Sequence, residues 1–219
     1  MTAPQAPTER IVTGNHPDRI NFTEMYVTHD SFRRDLRRLA AAVGAGRAAD
    51  PRVRDGWRNF KRQLHVHHTV EDAWLWPRLK GLVADRPDDL ALLAAMEAEH
   101  AVLDPRLASV DAALDGAAPG LPAEVAELTR VLEQHLRHEE EDALPLIQSV
   151  MTPADWRGFA RAMARTQGPR GAAVWVPWIT DGMTPADARR FLDRLPAPLR
   201  VLNRLVWQSR YRGRQLFAH

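Results

Sequence analysis

The chain has 219 residues, 45% of them hydrophobic, which is enough to bury the core of a globular protein. Its 30 basic and 28 acidic side chains nearly cancel, so bulk charge gives no indication of a nucleic-acid partner. The absence of cysteine excludes disulfides, thiolate metal sites and a cysteine nucleophile, and it fits a cytoplasmic protein. No apolar stretch is long enough to predict a signal peptide or a membrane span.

Four segments in the first 150 residues have the spacing of amphipathic helices. After a polar lead-in over 1–20, which we expect to be flexible, the helices are predicted to begin near Asn21, Arg52, Pro87 and the end of the turn "DGAAPGLP". The connections are short, and no segment alternates as a half-buried strand does. The sequence therefore predicts an all-α fold, with an antiparallel four-helix bundle over 21–150.

Residues 151–219 are predicted to form a C-terminal helical extension that packs on the bundle. The sequences "MTPADWRGF" and "MTPADARRF" repeat one helix-start device, a threonine cap followed by proline and then aspartate. The last segment has the pattern of an amphipathic helix, with six arginines and an apolar stripe of Leu199, Leu202, Leu205 and Val206. Such a helix lies on a membrane surface or docks on its own protein, and we favour docking.

A His-x-x-x-Glu pattern occurs twice in the predicted bundle. His67 and Glu71 of the second helix are followed 68 residues later by His135 and Glu139 of the fourth. A spacing of four places both side chains on one helical face, and in each copy that face is the apolar stripe. Buried charges without partners would cost more than the net stability of a domain, so the pattern predicts a bound cation.

The first and third helices also carry histidines on their inward stripes, at His29 and His100. Imidazoles and carboxylates without thiolates are suitable ligands for iron, manganese or zinc. Six such side chains exceed what one ion uses comfortably, so we expect two ions with positions left open for a small ligand.

The segments that carry these residues resemble the hemerythrin and HHE cation-binding family: "HHTVEDAWLWPRL", "MEAEH" and "HLRHEEEDALPLI". The resemblance covers about residues 22–150 and implies a four-helix bundle around two iron ions with an oxo or hydroxo bridge. Manganese or a mixed pair would accept much the same ligands. By this resemblance the two glutamates bridge the ions, and the metal ligands are His29, His67, Glu71, His100, His135 and Glu139.

The third helix departs from the pattern of the oxygen carriers, in which two histidines lie four residues apart. Met96 occupies the place four before His100. Either a ligand is missing or another residue replaces it, and the candidates are His68, Glu97 and Asp104. In the fourth helix Glu140 is an alternative to Glu139, because the family also tolerates a five-residue spacing.

Two functions remain open from the sequence. The first is a protein that binds or reacts with dioxygen, peroxide or nitric oxide at the di-iron centre. The alternative is a di-iron oxidoreductase, an oxidase, oxygenase or catalase-like enzyme, whose substrate is held under the C-terminal extension and which uses an unidentified reductant. A purely structural metal is disfavoured because open coordination positions serve no structural purpose. A homodimer is compatible with either function.

Overall fold

The structure, a computed structural model, describes residues 19–116 and 120–217, and within these ranges the chain is helical without strands. All but the last two residues of the expected lead-in lie outside the described residues. In the described part of the chain, no helix is both long enough and apolar enough to cross a membrane.

Four helical rods form the predicted bundle, and two of them contain a single π-helical turn. The first rod is α1 (Thr23–Gly44) and the third is α4 (Pro87–Leu114). The second rod consists of α2 (Pro51–Val70), a π turn (Glu71–Leu75) and α3 (Trp76–Leu82). The fourth consists of α5 (Leu121–His138), a π turn (Glu139–Ala143) and α6 (Leu144–Val150). The predicted fold class is confirmed.

The two π turns have the same cause, a proline six residues after a buried glutamate. Pro77 and Pro145 lack the N–H that would bond the carbonyl four residues earlier, and in a regular helix their rings would crowd that carbonyl. The wider turn relieves the crowding, with Trp76 N–H donating to the Glu71 carbonyl and Leu144 N–H donating to the Glu139 carbonyl. Both wide turns therefore begin at a residue of the predicted metal site.

Two apolar clusters fill the interior of the bundle, and the inward histidines lie between them. On α1, His29 stands between Met25 of one cluster and Phe32 of the other. On α4, His100 stands between Met96 and Leu103 in the same way. The polar groups therefore form a layer across the bundle with apolar packing above and below, which excludes water from both sides.

The extension is helical, as predicted, and its core is continuous with that of the bundle. It comprises α7 (Pro153–Ile179, bent at Gly168), α8 (Pro185–Leu192), α9 (Ala197–Leu202), a π turn (Asn203–Trp207) and α10 (Gln208–Arg214). The threonines of both "MTPAD" segments cap their helices, since Thr152 and Thr184 accept the N–H of Asp155 and Asp187. Trp178 is fully buried and donates its Nε1–H to Asp35 at 2.7 Å.

The last helix docks on the protein through a different face from the predicted stripe. Asn203 and Tyr211 are buried, whereas Leu202 and Leu205 of the expected stripe are exposed. The π turn inserts an extra residue between these positions, and the insertion rotates the two halves of the helix relative to each other. The Tyr211 hydroxyl donates to Asp181 at 3.1 Å, which fixes this orientation.

Replacing Gly56 by alanine should destabilise the protein, because a Cβ at this position would overlap the buried ring of Phe217. We expect a loss of about 1–3 kcal/mol in the free energy of unfolding, measured by urea denaturation. Gly81→Ala is the matched control: no atom lies within 4 Å of its Cβ position, so a gain of up to about 1 kcal/mol is expected. Equal effects at the two positions would contradict the close contact with Phe217.

Candidate metal centre

The six side chains assigned by resemblance lie together inside the bundle, and each of the four rods contributes. His29 comes from α1, His67 and Glu71 from the second rod, and His100 from α4; His135 and Glu139 complete the set from the fourth rod. All six are buried, and Glu71 and Glu139 have no exposed surface. His68, next to His67, is almost completely buried as well.

The ligand atoms form two groups of three. In the first group, donor atoms of His29, His67 and Glu139 all lie within 4.8 Å of one another. In the second, donor atoms of His68, His100 and His135 satisfy the same limit. Each group is compact enough to surround one cation.

Glu71 lies between the two groups and approaches both. One carboxylate oxygen is 3.1 Å from His67 Nε2, and the other is 3.7 Å from His100 Nε2. Glu139 has an oxygen 3.2 Å from His29 Nε2, and its charge acts on the imidazoles of both groups. The two carboxylates can therefore link two cations.

Seven buried atoms of this layer that could ligate a metal have no hydrogen-bond partner among the described residues. They are the Nε2 atoms of His68, His100 and His135 and both carboxylate oxygens of Glu71 and Glu139. The contacts of about 3 Å around the two glutamates are not directed as hydrogen bonds. An unsatisfied buried polar group costs about 1–3 kcal/mol, and a charged one costs more. Cations bound at this layer would use the same inward atoms, so the residues fit a metal centre.

Carboxylates on the outer side of the layer orient three of the imidazoles. Nδ1 of His29 lies 2.9 Å from Glu140, Nδ1 of His100 lies 2.7 Å from Asp72, and Nδ1 of His135 lies 2.9 Å from Glu99. A carboxylate accepts the proton on Nδ1, so a neutral ring has the lone pair of Nε2 pointing inward. This tautomer is the one that a metal requires of each ring.

Further polar contacts hold two of these carboxylates in place. Arg33 donates to Glu140 at 2.8 Å and to Glu133 at 2.7 Å, so α1 and the fourth rod are joined beside His29. Glu99 contacts His138 as well as His135, with Nδ1 of His138 2.8 Å from a carboxylate oxygen. His138, three residues after His135, thus touches the site through Glu99 and does not belong to either group of donors.

Burial and neighbouring charges give the site a mixed protonation before metal enters. Burial lowers the pKa of His29, but the carboxylates of Glu139 and Glu140 outweigh burial and raise it to about 9. Burial raises the pKa values of these two carboxyls, yet His29 dominates and brings each to about 2. Burial and the charge of Glu139 raise the pKa of Glu71 well above its ordinary value. At neutral pH His29 therefore carries a proton where a cation would bind, and Glu71 keeps its proton to a higher pH than an exposed glutamate does.

Three other imidazoles are held neutral. Burial, followed by repulsion from neighbouring imidazoles, lowers the pKa values of His67, His68 and His100. A neutral imidazole offers its lone pair without first losing a proton, so these three rings are ready to act as ligands.

The remaining candidates from the sequence lie away from the inward donor atoms. Glu97 forms an ion pair with Lys80 at 2.7 Å, and Asp104 is exposed on α4. Met96 is fully buried in the apolar cluster below His100. Glu140 contacts Nδ1 of His29 from outside the layer, whereas Glu139 is the carboxylate within it.

Sequence reasoning assigned no role to Glu99 or Arg33. Glu99 adjoins His100 in the chain but serves His135 of another helix, and Arg33 looks like one of many surface arginines. Their roles depend on how neighbouring rods are aligned, which a single sequence does not reveal.

Comparison with known families gives one match. Residues 21–147 match the hemerythrin HHE cation binding domain, and this range is more than half of the chain. The chain belongs to the hemerythrin HHE family. No curated protein and no solved structure matches the chain. As a hemerythrin-family bundle the protein is a cation-binding protein, and its buried His/Glu groups can hold a metal.

Metal binding to this hemerythrin-like site should release at least one proton at neutral pH, because the pKa of His29 is raised to about 9 and the ring is protonated before loading. Apparent metal affinity should rise with pH up to about 9, by about tenfold per pH unit for each proton released. Calorimetric titration in buffers of different ionisation enthalpy counts these protons.

Glu140→Gln provides the comparison for this measurement. Loss of the Glu140 charge lowers the pKa of His29, so the variant should release fewer protons at the same pH. Metal uptake without any proton release at pH 7 would contradict the protonation described here.

Proposed function

We propose that this protein binds two iron ions in the layer of histidines and glutamates, and that it binds or reacts with dioxygen, peroxide or nitric oxide there. One observation supports the proposal above all: carboxylates whose oxygens form no hydrogen bond among the described residues lie between two groups of buried metal-ligating atoms. When bound, iron would supply the one-electron redox chemistry that these small molecules require. Manganese or a mixed pair is the alternative for the same donors.

Within this proposal, His68 takes the place of the histidine missing from α4. Its ring is stacked on that of His100 with centroids 3.9 Å apart, and its donor atom is grouped with those of His100 and His135. The second ion would then have three imidazoles, and the first would have the two of His29 and His67. This inequality leaves more open positions on the first ion, where we expect the small molecule to bind.

The surroundings of the first group favour a small ligand over an organic substrate. Phe32 packs against His67 with ring centroids 5.5 Å apart, and Trp178 of the extension packs against Phe32 at the same distance. Both aromatic side chains are completely buried. They exclude water from this side of His67, and a diatomic molecule or peroxide needs much less room than an organic substrate does.

The same contacts give the oxidoreductase alternative its one specific support. Trp178 belongs to the extension and not to the matched bundle, yet it packs against Phe32, which in turn packs against His67. A movement of α7 would therefore change the space beside the first group. The two functions differ in whether chemical turnover follows binding.

The direct test is anaerobic loading with ferrous iron, followed by addition of dioxygen, nitric oxide or peroxide in separate samples. A carrier or sensor should show an optical change that reverses when the gas is removed. Sustained consumption of dioxygen or peroxide, with a released product, would favour the oxidoreductase alternative. Protein that takes up no iron, or loaded protein that is inert to all three ligands, would contradict the proposed function.

Replacing His68 by asparagine should reduce the iron content from two ions per chain to about one, because the second group would lose a third of its imidazoles. His65→Asn is the matched control, since His65 is exposed on the same helix and belongs to neither group. Elemental analysis of both variants after identical loading provides the measurement. Full iron content in the His68 variant would contradict its role as a ligand.

A further inference from the structure

The docked C-terminal helix leaves a strip of aliphatic side chains facing solvent. Val201, Leu202 and Leu205 are 54%, 44% and 69% exposed. Their spacing of three and four residues places them on one side of the rod. We call these three residues the aliphatic strip.

The strip is fixed in this outward position by contacts on both sides of it in the chain. Asn203 is buried within the π turn, and Tyr211 bonds Asp181. Further on, Leu216 and Phe217 are buried, with Phe217 N–H donating to the Arg52 carbonyl at 3.1 Å. The helix is therefore packed on the protein in an orientation in which no other part of residues 19–116 and 120–217 covers the strip.

Arginines flank the strip in the chain and give this end of the chain a charge unlike that of the rest. Residues 194–219 contain six arginines and no acidic residue, whereas residues 1–193 contain 24 basic and 28 acidic side chains. In the described part of the chain, Arg200 pairs with Asp193, but Arg204, Arg210 and Arg212 form no ion pair. The net charge of the whole chain is nearly zero, but its C-terminal end is strongly cationic.

We propose that the aliphatic strip and its arginines form a docking surface for anionic lipid, which places the protein on a membrane surface. An interfacial helix inserts aliphatic side chains between lipid head groups while flanking arginines contact the lipid phosphates. The rest of the chain has no excess of basic residues, so attraction to an anionic membrane is expected to come mainly from this end.

Other partners match these features less well. Nucleic acid would be contacted by the arginines, but the exposed aliphatic side chains would gain nothing from its phosphate backbone. A second copy joined strip to strip would bring two cationic surfaces together. Anionic lipid satisfies both the apolar and the charged part of the surface.

Co-sedimentation of the full-length protein with vesicles tests the proposal. The protein should bind vesicles of equal parts phosphatidylcholine and phosphatidylglycerol and should not bind vesicles of phosphatidylcholine alone. Leu205→Glu should lower binding by about tenfold or more, because it replaces the most exposed residue of the strip by a charged one. Arg204→Gln combined with Arg212→Gln should also lower it, and added salt should weaken binding of the wild-type protein.

Val102→Glu is the matched control, because Val102 is a similarly exposed aliphatic residue on α4. This variant should bind the mixed vesicles as the wild-type protein does. Circular dichroism verifies that each variant retains its helical structure, which is expected for changes at exposed positions.

Three outcomes would overturn the proposal: no binding of the wild-type protein to the mixed vesicles, equal losses in the Leu205 and Val102 variants, or self-association through the strip that Leu205→Glu abolishes in the absence of lipid. Binding to duplex DNA that is insensitive to Leu205→Glu, without binding to vesicles, would also overturn it. None of these outcomes bears on iron binding, which is measured separately.

Discussion

The structure depends on a layer of polar groups that its own side chains do not satisfy. Histidines and glutamates from all four rods meet between two apolar clusters, and the carboxylates of Glu71 and Glu139 face inward without hydrogen bonds from the described residues. Such an arrangement costs free energy unless cations bind the unpaired lone pairs of these buried nitrogens and oxygens. The polar layer and the apolar clusters therefore act together, because the clusters keep water away from the atoms that could hold a cation.

Residues next to the layer orient its side chains for cation binding. Glu140, Asp72 and Glu99 accept from the outer nitrogens of three imidazoles, so that each ring in its neutral form has its lone pair on the inner nitrogen. The π turns begin at the two inward glutamates and accommodate the prolines that follow. In the second and fourth rods, the π turn therefore begins at the same residue that contributes the inward carboxylate.

Much of the fold and of the candidate metal centre could be predicted from the sequence, because the position of a residue along a helix determines the direction in which its side chain points. The repeated His-x-x-x-Glu pattern identified two rods and their inward face, and the helix caps identified the start of the extension. The contacts of Glu99 and Arg33 with residues of other rods were beyond prediction, since they depend on alignment between helices. The orientation of the last helix was wrong in the sequence analysis because the π turn at Asn203–Trp207 shifts its helical phase.

Aromatic side chains of the extension pack into the same apolar core as the segment that matches the family. The family match ends at residue 147, but Trp178, Phe191 and Tyr211 occupy the same apolar cluster as Phe32 and Trp57 of the bundle. A chain cut at the family boundary would lose part of its own interior and expose what remained. The apolar interior of this protein therefore extends beyond the segment that defines its family.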